Sequence, residues 1–211
     1  MIYIYYSYLR EENHENLLQT ELLKFPFSYI KKIKKFRRWQ DAQLSLLGRL
    51  LLFRSIKQIF DLEFSPKSIL YNDYGKPYFK ENPIHFSISH SGEIVICAIT
   101  SNCEIGIDIE KISNINIDNF KDTIDPNEWF KIISSAQPKT EFYDYWTKKE
   151  AAIKAHGFGQ SNDFTLSNIS DHPSIITTDF LYFKEIKIDT NYKCTIATKT
   201  DLPFILKNVT Y

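Results

Sequence analysis

The segment Gly106-Ile107-Asp108-Ile109-Glu110 alternates apolar and acidic residues without a break, and that alternation constrains this chain more than any other feature. A β-strand turns successive side chains to opposite faces, so Ile105, Ile107 and Ile109 belong on one face and Asp108 and Glu110 on the other. The acidic face has an ordinary reading as the solvent side of an edge strand. It is also a two-carboxylate platform suited to a hard cation such as Mg²⁺. A second segment, Trp146-Thr147-Lys148-Lys149-Glu150-Ala151-Ala152-Ile153-Lys154, reads as a helix. Trp146, Glu150 and Lys154 follow one another at i, i+4 spacing, which stacks an acid and a base on one face beside a large aromatic. The plain alternative is an exposed i, i+4 pair with Lys148 and Lys149 solvated ahead of it. A carboxylate platform, an acid and an ammonium together point to phosphate chemistry.

The 211 residues can bury a sizeable core, as one domain or two small ones. With 26 basic and 26 acidic residues, the chain is not built as a whole for nucleic acid or an anionic membrane. Cys97, Cys103 and Cys194 are odd in number and sit in strand-like sequence, the pattern of small buried residues in a reducing compartment. The first residues lack a basic n-region and a small-residue cleavage site and read as a strand. The most apolar later stretch, 44–53, is interrupted by Ser45, Gly48 and Arg49 and is too short to span a bilayer. A soluble, cytoplasmic protein is expected.

Along the chain, a polar helical piece (11–23) and a basic run (31–38) precede a long helix over 39–60 with Leu47, Leu51 and Ile59 at core-facing spacing. Strands are expected at 69–71 and 78–79 around an Asn72-Asp73-Tyr74-Gly75 turn, then as a meander at 86–89, 94–100 and 104–110. After a segment at 113–123, Asp125-Pro126-Asn127-Glu128 reads as a helix start with Asp125 as N-cap. A helix over 140–156 and strands near 164–166, 180–188 and 192–198 follow. Asp41-Ala42 precedes Gly48 at the interval at which Glu150-Ala151 precedes Gly157, each pair shortly after a tryptophan, a faint internal echo of two helix-then-sheet halves.

The two opening segments resemble the signature of the 4'-phosphopantetheinyl transferases, G-(I/V)-D-(I/V)-E followed by W-(S/T/C)-x-K-E-(A/S)-x-x-K. Gly106, Asp108, Glu110, Trp146, Thr147, Lys149, Glu150, Ala151 and Lys154 meet its defined positions. Two further family motifs lie upstream in order, Gly75-Lys76-Pro77-Tyr78 and Phe86-Ser87-Ile88-Ser89-His90-Ser91. The likeness runs from about residue 29 to 160 and includes the double-length layout of the surfactin-type (Sfp-type) class. It implies an α+β fold of two similar α/β halves with antiparallel sheets in a pseudo-twofold arrangement, here 1–102 and 103–211, packed as one unit with the site between them.

The resemblance also implies roles. Coenzyme A is the expected co-substrate and an apo acyl or peptidyl carrier protein the partner, without nucleic acid or membrane, and the chain is expected to work as a monomer. Asp108, Glu110 and Glu128 would hold Mg²⁺; Glu128 also stands where a capping box wants an acid, but such a box is usually written with Ser or Thr at the cap, which favours the ligand. Glu150 would serve as metal contact or as general base, and Lys149 and Lys154 would hold phosphate oxygens. Lys76, Pro77, Ser89 and His90 match positions that cradle coenzyme A, and Lys32 and Ser45 fall near its 3'-phosphate. One position departs from the pattern: Tyr29 stands where surfactin-type enzymes often carry another lysine, leaving Lys31 as a substitute. The segment after Lys111, with Ile112, Ile115, Ile117 and Phe120, is the expected carrier docking surface. Two rival readings are a metal-dependent nuclease, which would not need Lys76-Pro77 or Ser89-His90, and a non-catalytic carrier-protein binding module, which would have lost ligands.

Overall fold

A computed structural model describes residues 1–80, 83–157, 174–176 and 179–211. In chain order the elements are β1 (Ile2–Tyr8), α1 (His14–Thr20), α2 (Phe27–Ile33), α3 (Trp39–Phe60), β2 (Ile69–Tyr71), β3 (Pro77–Phe79), β4 (His85–Ser91), β5 (Ile94–Thr100), β6 (Ile105–Lys111), α4 (Pro126–Ser134), α5 (Pro138–His156), β7 (Ser174–Ile176), β8 (Asp179–Glu185), β9 (Tyr192–Thr198) and β10 (Phe204–Asn208). One four-stranded sheet has the order β10-β1-β5-β4 and a second the order β6-β9-β8-β7. All their pairings are antiparallel except β1 with β10. The architecture is α+β, as the sequence implies.

Three apolar clusters hold the layers together. Every residue of β5 is buried, and its alternation explains why both of its faces need cover. Val95, Cys97 and Ile99 pack with α3 residues such as Leu47 and Leu51. Ile94, Ile96 and Ala98 face the other way and meet Ile105, Ile107 and Ile109 of β6. The three isoleucines of β6 are fully buried, each worth about 1.5–3 kcal/mol, which fixes the strand's register and therefore which side its carboxylates take. A third cluster joins α5 to Trp129 and Ile132 of α4 and to Phe183 and Ala197 of the second sheet. A long helix thus backs each sheet, and the sheets share the isoleucine layer between them.

Some sequence expectations need revision. The piece at 11–23 is a short α1 flanked by 3-10 turns at Glu11–Asn13 and Leu22–Lys24 rather than one helix. Strand β10 was not anticipated; four of its five residues are exposed, so its composition carries no burial period. The strand expected near 164–166 lies outside the described residues. Cys97, Cys103 and Cys194 are free thiols. Among the described residues no helix is long and apolar enough to cross a membrane.

Candidate active site

The site grows from the seam where β4 and β6, strands of different sheets, run side by side. Three serines at alternate positions of β4 take the place of a backbone ladder. Ser87 Oγ accepts the Ile107 N–H at 3.1 Å, Ser89 Oγ the Ile109 N–H at 3.4 Å and Ser91 Oγ the Lys111 N–H at 3.1 Å. Two of these hydroxyls then donate onward to the acidic face of β6: Ser89 to Asp108 Oδ1 at 2.8 Å and Ser91 to Glu110 Oε2 at 2.7 Å. Each serine therefore satisfies a strand N–H that would otherwise be orphaned and orients a carboxylate at the same time.

Helix α5 lies against this strand and supplies the other charges. Lys154 Nζ sits 2.6 Å from Asp108 Oδ1 and 3.0 Å from Ser89 Oγ. Asp108 is only 3% exposed, and its second oxygen, Oδ2, is buried with no hydrogen-bond partner among the described residues. Burial and the Asp108 charge raise the pKa of Glu150, with Lys154 and Lys149 opposing. Burial also raises that of Glu110, where Asp108 and Glu150 add to the effect and the Ser91 hydroxyl and Lys154 oppose it. Asp108, Glu110 and Glu150 gathered around the Lys154 ammonium form a site short of positive charge, which shows in the raised pKa values of the two glutamates.

That shortage, the oxygen-only donor set and the orphaned Oδ2 fit a hard divalent cation. Among the described residues no three acidic, histidine or cysteine side chains converge on one metal-sized point as they stand. Mg²⁺ ordinarily takes one or two carboxylates and completes its shell with substrate phosphates and water, so Asp108 with Glu110 or Glu150 is a sufficient protein share.

Beside the cluster opens a cleft of about 450 Å³ between the first sheet's helix side and the C-terminal half of α5. It brings together most of the residues singled out in the sequence: Lys32, Ser45, Lys76, Pro77, His90, Glu150 and Lys154 all line it. His90 opens onto the cleft from the end of β4. Crowding by surrounding protein, and then the Lys154 ammonium, push its pKa below the usual value, so the ring is a neutral donor or acceptor at pH 7. Gly75, with φ of +83°, makes the turn that presents Lys76 and Pro77.

Three expected residues sit differently. Lys76 Nζ bonds Glu104 Oε2 at 2.6 Å and the Ala155 carbonyl at 2.9 Å, so its charge ties the β2–β3 hairpin to the end of α5 while its stem lines the cleft. Glu104 also meets His85 Nδ1 at 3.0 Å, and that hydrogen bond, with Lys76, outweighs burial and pulls its pKa down to about 2. Lys149 Nζ turns to the Thr123 carbonyl at 3.0 Å and lies over the Trp146 ring. Glu128 is almost fully buried and pairs with Lys131 at 3.1 Å. Its charge acts on Tyr145, whose pKa is pushed to about 12 by burial first and then by Glu128 and Asp125, and it is not among the charges acting on Glu110 or Glu150. The helix cap is made by Asp125, whose Oδ1 accepts the Asn127 and Glu128 N–H groups.

The segment after Lys111 is half-buried. Ile112, Ile115, Ile117 and Phe120 pack inward on the α5 cluster, Phe120 against Phe142 and Trp146. The exposed apolar residues nearby are Phe130 and Ile133 on α4. Sequence reading missed Arg49, which lines the cleft, and treated it only as an interruption of an apolar run. Its signal was available: Arg49 lies four residues after Ser45, on the same face of α3.

The fold and cleft define an α+β protein with two four-stranded sheets whose acidic seam adjoins a pocket rich in cations. Residues 104–197 match the 4'-phosphopantetheinyl transferase superfamily, and residues 15–102 match the N-terminal part of 4'-phosphopantetheinyl transferase. The chain is 32% identical over 191 residues to "4'-phosphopantetheinyl transferase Sfp" of Bacillus subtilis (strain 168), covering 85% of each chain. It is 41% identical over 153 residues to "4'-phosphopantetheinyl transferase gsp" of Aneurinibacillus migulanus, covering 68% of this chain and 63% of that one. A mouse "L-aminoadipate-semialdehyde dehydrogenase-phosphopantetheinyl transferase" is 29% identical over 144 residues, 61% of this chain and 47% of that protein. The chain belongs to the 4'-phosphopantetheinyl transferase family, in its surfactin-type (Sfp-type) class.

Proposed function

We propose that this chain transfers the 4'-phosphopantetheine group of coenzyme A to a serine hydroxyl of an apo acyl or peptidyl carrier protein, releasing 3',5'-ADP, with Mg²⁺ as cofactor. One observation carries the reading: a single cleft joins Lys32, Ser45, Pro77 and His90, suited to a nucleotide, to Glu150 and Lys154 at the acidic seam. In the transfer, the serine oxygen forms a new bond to the pantetheine-side phosphorus as the bond to the 3',5'-ADP oxygen breaks. Glu150 takes the serine proton, a role favoured by the burial that raises its proton affinity. Lys154, held by Asp108 and Ser89, points positive charge at the phosphate under attack. Mg²⁺, held by Asp108 with Glu110 or Glu150, would neutralise pyrophosphate charge. Both sheets' contributions come from one chain, so a cytoplasmic monomer suffices.

The rival nuclease would be indifferent to coenzyme A, and a non-catalytic binder would have no use for a base poised beside the cleft. The test is intact-mass analysis of several apo carriers incubated with the protein, coenzyme A and Mg²⁺. A gain of one phosphopantetheine, abolished by EDTA, is expected. No gain with any carrier class, or nucleic-acid cleavage by the same preparation, would remove the proposal.

A further inference from the structure

The β2–β3 hairpin is a thin wall. It forms a two-stranded sheet of its own, Ile69 paired with Phe79 and Tyr71 with Pro77, and belongs to neither four-stranded sheet. Its base is anchored by Phe79, which is buried against Phe64 and Phe86 at ring-centroid distances of 4.4 and 5.1 Å. Its tip has no such anchor, and Tyr71 and Tyr74 are more than half exposed. Tyr71, Tyr74, Lys76 and Pro77 line the cleft together with Glu150 and Lys154. A further hollow, of about 300 Å³, shares Lys76 and Pro77 with the cleft and is bounded also by Asn72, His85 and Glu104. A tip flanked by two hollows is not placed by close packing. Polar ties place it instead.

Those ties converge on the C-terminal end of α5, where the last carbonyls have no partner within the helix. Asn72 Nδ2 donates to the Gly157 carbonyl at 2.9 Å, and Lys76 Nζ donates to the Ala155 carbonyl at 2.9 Å. An ammonium at that end also complements the helix dipole. Gly157, with φ of +76°, leaves room for both side chains: a Cβ built on it would lie 2.8 Å from Lys76 Cδ and 3.3 Å from Asn72 Nδ2. The other polar atom of Asn72 faces its own turn, where Oδ1 accepts the Tyr74 N–H at 3.0 Å and the Lys76 N–H at 2.8 Å. One side chain thus shapes the tip and fastens it to the helix. That helix carries Glu150 and Lys154, and Lys154 directly precedes Ala155, so these two bonds set how far the tip stands from the acid and the ammonium.

We propose that Asn72 is a positioning residue for the transfer: by holding the hairpin tip on the end of α5, it sets the width of the cleft between the hairpin and the Glu150–Lys154 face. This rests on the reading of the chain as a coenzyme A-dependent transferase. The test is Asn72→Asp in the full chain, which keeps an oxygen for the two turn N–H groups and puts a second, repelling oxygen where the Gly157 carbonyl had a donor. Initial rates of carrier modification show kcat lowered by about tenfold to a hundredfold, the effect of a misplacement of about 1 Å, with KM for coenzyme A within about threefold of native. Hydrogen exchange over residues 69–79 quickens by about threefold to tenfold, the loss of one hydrogen bond, while exchange over 85–111 is unchanged. Asn72→Ser, too short to reach Gly157 but able to hold the turn, gives the same split and covers an Asp variant that fails to fold. Native kcat in the folded variants, or native exchange over the hairpin, overturns the positioning role and leaves the transferase reading intact. A raised KM with unchanged kcat also overturns it and makes Asn72 a coenzyme contact. A native chain that modifies no carrier overturns both readings.

Discussion

Gly106→Ala is the most informative single change, because the structure gives its consequence almost without assumption. A Cβ built on Gly106 would lie 1.9 Å from the Ala151 carbonyl oxygen and 2.4 Å from the Ala155 nitrogen. Both obstacles are helix backbone, which has no rotamer to change, so α5 and β6 must part by about an ångström or more. Overpacking of this kind costs about 3 kcal/mol, the upper end of the usual range. With a urea slope of about 2 kcal/mol per molar for a domain this size, the unfolding midpoint should fall by about 1.5 M. The two collision points directly follow Glu150 and Lys154 in sequence, so the same shift carries the base and the ammonium away from Asp108. A misplacement of about 1 Å is worth about a hundredfold in rate. The assays are urea denaturation followed by tryptophan fluorescence and initial rates of carrier modification measured well below the midpoint. An Ala variant with unchanged midpoint and a rate within about twofold of native would refute the idea that the glycine exists for this close approach.

Three further outcomes follow from the same geometry. Glu150→Gln should lower turnover by about two to four orders of magnitude with little change in coenzyme A affinity; loss of Mg²⁺-dependent coenzyme A binding would instead make Glu150 chiefly a metal contact. Ser91→Ala removes the hydroxyl that accepts the Lys111 N–H and donates to Glu110, so stability should fall by about 1–2 kcal/mol and turnover along with it; a variant that loses neither would show that the stitch is ornamental. Glu104 ionises more readily in the folded chain, at about 2 against an ordinary 4.5, so its pairs with His85 and Lys76 stabilise fully above about pH 4.5 and fade as pH falls toward 2. Because Glu104 is half exposed, that contribution is about 1 kcal/mol after screening, and Glu104→Gln should lower the melting temperature at pH 7 but match native near pH 2; an equal deficit at both pH values would contradict the linkage.

What the sequence disclosed was whatever depends on one element alone. The alternation of β6 and the bounds of α3 were legible because each is set by a local period, and every residue of β5 proved buried as its apolar run requires. The pairing of Asp108 with Lys154 was not legible, since the helical period sets Lys154 beside Glu150 and only the packing of α5 on β6 brings it to Asp108. Nor was the serine stitch, since it depends on β4 lying beside β6 with each Oγ bonding an N–H 20 residues away. Lys76 was seen as a ligand and not as a tie, because Glu104 and Ala155 are distant in sequence. That the isoleucines after Lys111 lay one side against the α5 cluster was not legible for the same reason, because α5 comes later in the chain.

Those hidden contacts divide the site by function. At the seam, one set of hydrogen bonds satisfies strand N–H groups, joins the two sheets and aims the carboxylates, so a change there cannot alter chemistry without also loosening the fold. On the α2–α3 wall of the cleft, Lys32 is exposed and Arg49 is held by two phenols that contribute no charge. Removing a positive charge there leaves no buried carboxylate unpaired among the described residues. A change on that wall therefore leaves the hydrogen bonds of the seam in place.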